Sequence, residues 1–359
     1  MTALLVALAL FGASCNEDNG NRSGADHRGA VACEVTDQPR RGDALNAMVH
    51  AGVMRAEQEL EVTTRAVQSV TPDIESLLRQ GCDIIISVGL PLAETVLASA
   101  DSNPQSEFAI VDFWFDFQIA EELTRPNVRL VVFRSDQASF LAGYLAAGMT
   151  KTGKIATFGG ENLPTERTVM DGFLAGARAY KQDNNAAIRV FGWNGTRGVF
   201  IGDSDSKRKS RVATKRMIAK GADIVLPVVG AGTLGAAEAA RDEGDVLLIG
   251  TDADQAVFAE AYADLWLTSV EKNPAAAVFD VIASEADGSF EGGLYVGTLE
   301  NGGVSLAPYH RLSGRVPPTL KRKLSELHDG IIDGWVSVEP DDYVPYNPHM
   351  KHGHHDPAS

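Results

Sequence analysis

The sequence predicts an α/β protein of two doubly wound parallel-sheet lobes. Three observations carry this prediction. Strand-like and helix-like apolar segments alternate from Val31 to Glu285, and repeated βα units require a parallel sheet covered on both faces. The alternation restarts at Asp136 with a second series of comparable length. Finally, the apolar run Val246-Leu-Leu-Ile-Gly-Thr-Asp-Ala-Asp-Gln255 ends in two carboxylates, and ligands of open α/β sheets sit in the crevice outside the carboxyl ends of the strands.

The first series opens with a strand at Val31 to Thr36 and a helix with apolar spacing at Ala44 to Leu60. It continues with a strand at Val62 to Gln68, a helix at Pro72 to Gln80, a buried strand at Asp83 to Val88 and a helix at Leu92 to Ala100. Strands at Phe108 to Val111 and Val128 to Phe133 complete it. The second series runs through a helix at Asp136 to Met149, a strand at Lys154 to Phe158, a helix at Thr168 to Tyr180 and a strand at Ile188 to Trp193. A helix at Lys209 to Lys220, a strand at Asp223 to Val229, a helix at Leu234 to Glu243 and a strand at Val246 to Gly250 follow. A strand from Leu265 to Val270 and a helix from Pro274 to Glu285 come last. The expected division puts residues 31–135 with 268–310 in the N-terminal lobe and 136–267 with 311–340 in the C-terminal lobe. Residues 341–359 form a polar, Pro-rich tail carrying His349, His352, His354 and His355, for which disorder is the default and adventitious metal binding a distant second.

At 359 residues with 44% hydrophobic and 22% charged side chains, the chain can bury a substantial core. Its net charge of -16 argues against nucleic acid as a partner, because that demands a basic face. Residues 1–14 are almost wholly apolar yet shorter than the roughly 20 residues a membrane-spanning helix needs. They stop at Gly12-Ala13-Ser14 directly before Cys15, as in a secretory signal with a lipobox-like end, although Gly12 stands where Leu is usual and no basic segment precedes the run. Cys15 would then be the lipidated N-terminus, anchored to the membrane by acyl chains, and residues 15–30 a flexible tether reaching roughly 20 Å. Cys33 and Cys82 each start a strand. In an oxidising compartment they could pair, or remain two small buried thiols.

The turn Gly230-Ala-Gly232-Thr-Leu-Gly235 satisfies G-x-G-x-x-G, follows a strand, opens a helix and has Asp252 about 20 residues on. Alone it would suggest an NAD-linked oxidoreductase, with Asp252 on the ribose. With 35 glycines in the chain, a Gly-rich turn that merely lets a helix or ligand approach the backbone explains it better. No nucleophile elbow, H-E-x-x-H pair or phosphate-loop lysine is present, and before the tail His27, His50, His310 and His328 are widely spaced; no resident metal and no cofactor are expected. Strand ends are better supplied, with Asp37, Asp112, Asp252 and Asp254. Each could equally be a helix N-cap. Phe113, Trp114, Phe115 and Phe117 crowd behind Asp112, and Lys272 is a cation placed near these acids. Such a set suits a ligand with hydroxyls and a flat polar ring.

Several segments taken in order resemble the basic membrane protein family of lipoprotein substrate-binding components of ABC importers, many of which bind purine nucleosides. They are Ser139-Phe-Leu-Ala-Gly-Tyr-Leu-Ala-Ala147, Met149-Thr-Lys-Thr-Gly-Lys-Ile155, Gly159-Gly160, Gly250-Thr-Asp-Ala-Asp-Gln255 and Thr268-Ser-Val-Glu-Lys-Asn273. Arg315-Val-Pro-Pro318 and Gly330-Ile-Ile-Asp-Gly334 extend the resemblance to roughly Val31 to Val338. It implies a type I periplasmic-binding-protein fold, no bond-making chemistry, and a nucleoside held where the lobes meet. Carried over by motif, Asp252 and Lys272 would hold ribose hydroxyls, Asp37 and Asp112 the base or ribose edge, and Phe200 one face of the base. Asn46 and the glycines Gly230 and Gly232 would also line the ligand. The family's first stacking Phe is here Leu45. The implied partners are a nucleoside-like small molecule and an ABC permease, with the protein exported and membrane-anchored, and a monomer is expected. A ligand sensor signalling to a membrane partner is the other binding-protein reading.

Overall fold

A computed structural model describes residues 29–36, 44–69, 72–113 and 124–339. The signal, Cys15, the tether, Asp37, Trp114, Phe115, Phe117 and the His-rich tail lie outside them. The first series folds as β1 (Val31–Thr36), α1 (Ala44–Leu60), β2 (Thr63–Gln68), α2 (Ile74–Arg79), β3 (Ile84–Val88), α3 (Leu90–Ser102), β4 (Glu107–Val111) and β5 (Val128–Phe133). The second folds as α4 (Ser135–Met149), β6 (Lys154–Gly159), α5 (Pro164–Asn184), β7 (Arg189–Phe191), α6 (Lys207–Ala219), β8 (Ile224–Val228), α7 (Thr233–Glu243), β9 (Leu247–Asp252), α8 (Gln255–Phe258) and β10 (Trp266–Lys272). The remaining elements are α9 (Pro274–Ala286), β11 (Gly293–Gly297), β12 (Val304–Leu306) and α10 (Pro318–Ile332).

The strands form two six-stranded sheets, ordered β11-β5-β4-β3-β1-β2 and β12-β10-β9-β8-β6-β7. The two halves share one winding. All described pairings are parallel except that of β12 with β10. The central strands β3 and β8 are buried throughout and β4 is buried beyond its first residue, Glu107, which is why they read as mostly apolar runs with no alternation. One continuous core, running through Val53, Val131, Phe140, Leu145, Leu226 and Val278, covers one face of each sheet. Separate clusters lie under α2 and α3 and under α6 and α7.

One boundary differs from expectation. Residues 268–272 and β12 belong to the second sheet, not to the N-terminal lobe: β10 pairs along its length with β9, and β12 closes that sheet's edge. Only α9 and β11 return to the first lobe, β11 pairing with β5 and α9 packing on α1. The chain therefore passes between the lobes after β5, after β10 and after β11. These passages are bonded to each other, Arg134 N donating to Gly297 O at 2.8 Å and Asn273 N to Gly303 O at 2.9 Å. Gly303 and Gly297 must both lack side chains there, since a Cβ on Gly303 would lie 2.2 Å from the Gly297 Cα.

Cys33 on β1 and Cys82, two residues before β3, form a disulfide with Cα atoms 5.8 Å apart. Parallel pairing of β1 with β3 brings them together.

Candidate functional site

The carboxyl ends of the two sheets meet. Lys272 ends β10 in the second lobe, and its Nζ lies 2.8 Å from Asp112 Oδ2, which follows β4 in the first, and 3.0 Å from Asp252 Oδ1, the last residue of β9. The Lys272 side chain is buried, so its two ion pairs are held away from bulk water. Burial alone would push the ammonium down, but Asp112 and then Asp252 more than offset it, and Lys272 stays well above the usual lysine range. It is therefore a permanent cation between two carboxylates.

Both acids are held in a costly backbone conformation. Asp112 has φ 59° and Asp252 φ 69°, in the left-handed region that non-glycine residues visit at a cost of about 1 to 3 kcal/mol. Aspartate tolerates that region better than most residues. There each carboxylate meets Lys272 Nζ, Asp112 from the first lobe and Asp252 from the neighbouring strand of the second. The result is an acid–cation–acid cluster with donor and acceptor capacity for vicinal hydroxyls: each carboxylate can accept two, and the ammonium has three donors.

Asp254 is assigned elsewhere. It caps α8, accepting from Ala256 N at 3.1 Å, and lies 2.6 Å from His310 Nε2. The remaining candidates lie on other elements. Phe200 bridges to Gly159 at the end of β6 and stacks edge-on to Trp193 at a centroid distance of 5.8 Å. A Cβ on Gly159 would lie 2.6 Å from the Phe200 ring, so the glycine lets that ring settle over the strand end. Asn46 sits half-buried in the first turn of α1.

Gly230 and Gly232 face the loop 202–206. Ala231 N donates to Asp205 Oδ1 at 3.2 Å and Gly232 N to Ser204 O at 3.0 Å, while a Cβ on Gly235 would lie 2.0 Å from Lys207 O. The glycines thus let α7 approach the loop and the start of α6. The amides of Ala231, Gly232 and Gly235 are engaged by protein acceptors where a pyrophosphate would need them free.

Glu166, in the first turn of α5, was not singled out from the sequence. Its carboxylate accepts from Glu161 N at 2.8 Å and from Ser204 Oγ at 2.8 Å, and its Oε2 would lie 2.6 Å from a Cβ on Gly159. Glu166 thereby ties the loop carrying Ser204 to the segment after β6, with Phe200 between. Burial raises its carboxyl to about 7, against the lowering effect of those two donors and with the charges of Glu161 and Asp252 adding to the rise. Acids in the first turn of a helix are ordinarily solvated, so no sequence signal separated this one.

Among the described residues no group of three or more His, Cys, Asp or Glu side chains is placed to hold a metal ion, and no helix is long and apolar enough to cross a membrane.

Residues 31–326 match the family described as "Bmp: ABC transporter substrate-binding protein PnrA-like". The chain is 28% identical over 289 residues to the "ABC transporter nucleoside-binding protein BmpA" of Lactococcus lactis, covering 77% of this chain and 76% of that one. It is 30% identical over 321 residues to "Basic membrane protein B" of Borreliella afzelii, covering 84% and 88%. Among solved structures, an ABC transporter system solute-binding protein from Aeropyrum pernix superposes with a TM-score of 0.71 at 23% identity, covering 87% of this chain and 94% of that chain. Strand order and superposition together give the type I periplasmic-binding-protein fold. With two duplicated lobes, an interlobe cluster of acids and a cation, and a match over residues 31–326, the chain belongs to the Bmp family of ABC transporter substrate-binding proteins.

Proposed function

We propose that the protein captures a nucleoside between its lobes and delivers it to an ABC permease, without bond-making chemistry. The observation that carries this reading is the Asp112–Lys272–Asp252 cluster around the buried ammonium, which spans the lobes at the strand ends. Asp252 and Lys272 hold ribose hydroxyls, Asp112 and Asp37 meet the base or ribose edge, and Phe200 supplies one aromatic face. Leu45 in place of a second ring gives an aliphatic opposite wall. The nucleoside-binding relative from Lactococcus lactis supports the ligand class. Binding favours the closed arrangement by interacting with groups of both lobes at once.

The apolar run of residues 1–14 and Cys15 support export and a lipid anchor on the extracytoplasmic side. Detergent-phase partition that is lost in Cys15→Ser tests this. For the ligand, refolded and ligand-stripped protein is titrated calorimetrically with guanosine, adenosine, inosine, cytidine and free ribose. Binding that is lost in Asp252→Ala and kept in Asp254→Ala is the expected result. Failure of the wild-type protein to bind any of the five refutes the nucleoside reading.

A further inference from the structure

Ser135 opens α4 immediately after the passage from β5, and it lines the narrow interlobe pocket together with Asp112, Lys272 and Thr165. The residue is only 2% exposed. Its Oγ is buried and has no hydrogen-bond partner. Among its polar neighbours, Asp112 is engaged with Lys272 at 2.8 Å and the Thr168 hydroxyl donates to Pro164 O at 3.0 Å.

An unpaired buried hydroxyl costs free energy comparable to a lost hydrogen bond, and alanine at the same position would avoid that cost while favouring the helix. A structural role does not account for it. The hydroxyl does not cap α4: the helix has no side-chain capping bond at its N-terminus, and Arg134 and Asp136 on either side bond to one another at 2.6 Å. What Ser135 shares with its surroundings is the pocket.

We infer that the Ser135 hydroxyl is a specificity-determining contact, hydrogen-bonding a polar heteroatom of the bound nucleoside on the Asp112 side of the cleft. This deepens the nucleoside reading and rests on it. A hydroxyl is both donor and acceptor, so Ser135 can serve a ring carbonyl or a ring N–H, and nucleosides that place an apolar C–H there are discriminated against. The position fits this task. A residue at the hinge end of the second lobe, buried against groups of both lobes, meets the ligand only when the cleft shuts on it.

The test compares Ser135→Ala with wild type in two measurements. In calorimetric titration with the nucleoside the wild type binds best, Ser135→Ala is expected to bind roughly tenfold more weakly, the equivalent of one net hydrogen bond. In thermal unfolding without nucleoside the variant is expected to melt at the same temperature or higher, because a buried unpaired group has been removed. Unchanged affinity for every nucleoside that the wild type binds overturns the inference and leaves the nucleoside reading standing. So does a variant that melts markedly lower without nucleoside, since that assigns Ser135 a structural role. Ser135→Cys, nearly isosteric and a weak hydrogen-bonder, should fall between wild type and Ser135→Ala. A wild type that binds no nucleoside removes both this inference and the reading beneath it.

Discussion

Replacing Glu166 by Gln should make the protein more stable, and only above about pH 5. The Glu166 carboxyl is raised from the ordinary glutamate value of 4.5 to about 7, chiefly by burial. The native protein therefore holds this proton more tightly than the unfolded chain does. Below about pH 4.5 both states carry it and nothing is lost. As the pH rises from there to about 7, the unfolded chain releases the proton while the native state resists, so stability falls through that window and then levels off. At about 1.36 kcal/mol per pH unit over that window of about 2.5 pH units, the penalty reaches a little over about 3 kcal/mol at most. Glutamine resembles the protonated acid at every pH, and its carbonyl oxygen can still accept from Glu161 N or Ser204 Oγ. Denaturant unfolding of both proteins from pH 4.5 to 8.5 should give coincident free energies at the acid end and a gap of about 2 to 3 kcal/mol at the alkaline end. A gap independent of pH, or a variant less stable than wild type at pH 8, would refute the reasoning.

Three further outcomes follow from the site and its supports. Lys272→Met leaves Asp112 and Asp252 facing each other without their cation, so it should cost about 3 kcal/mol and abolish ligand binding; adding Asp112→Asn should restore part of the stability, measured by denaturant unfolding, and none of the binding. Gly159→Ala puts a Cβ within 2.6 Å of both the Phe200 ring and Glu166, and should weaken binding more than tenfold in calorimetry as the ring is displaced, an effect equivalent to about 1.4 kcal/mol or more. Reduction of the Cys33–Cys82 disulfide, which spans 49 residues of sequence, should lower stability by about 4 kcal/mol on loop entropy, read as a fall in denaturant midpoint.

The sequence revealed the alternation well because most strands here are buried on both faces. β3 and β4 are short runs of apolar residues relieved only by Ser87 and Glu107, and could be little else at their length. The missed strands lack that signal. β11 is a half-buried run bounded by Gly293 and Gly297, and β12 spans only three residues. α10 carried a legible stripe in Leu320, Leu324, Leu327 and Ile331, obscured by the prolines at its start. Which sheet β10 joins could not be read from the chain, because a doubly buried strand suits the middle of either. At the site, Lys272 was legible as a cation near strand-end acids. Its choice of Asp112, 160 residues away, over Asp254 is a product of how the lobes face each other. Glu166 and Ser135 lay beyond reach for the same reason: their polar partners, or lack of them, exist only once distant loops have packed.

The three interlobe passages have a mechanical consequence. A single linker would leave one lobe free to bend, twist and slide against the other. Passages lying side by side and bonded to their neighbours, with Gly297 and Gly303 in backbone contact, make a strip that resists torsion and shear while still flexing along its length. The soft motion left to the molecule is a swing about one axis, carrying Lys272 and Asp252 toward or away from Asp112. Recognition and movement are thereby built from separate parts, so strand-end residues facing the cleft can change to suit a different solute while the open and shut shapes offered to a permease stay the same.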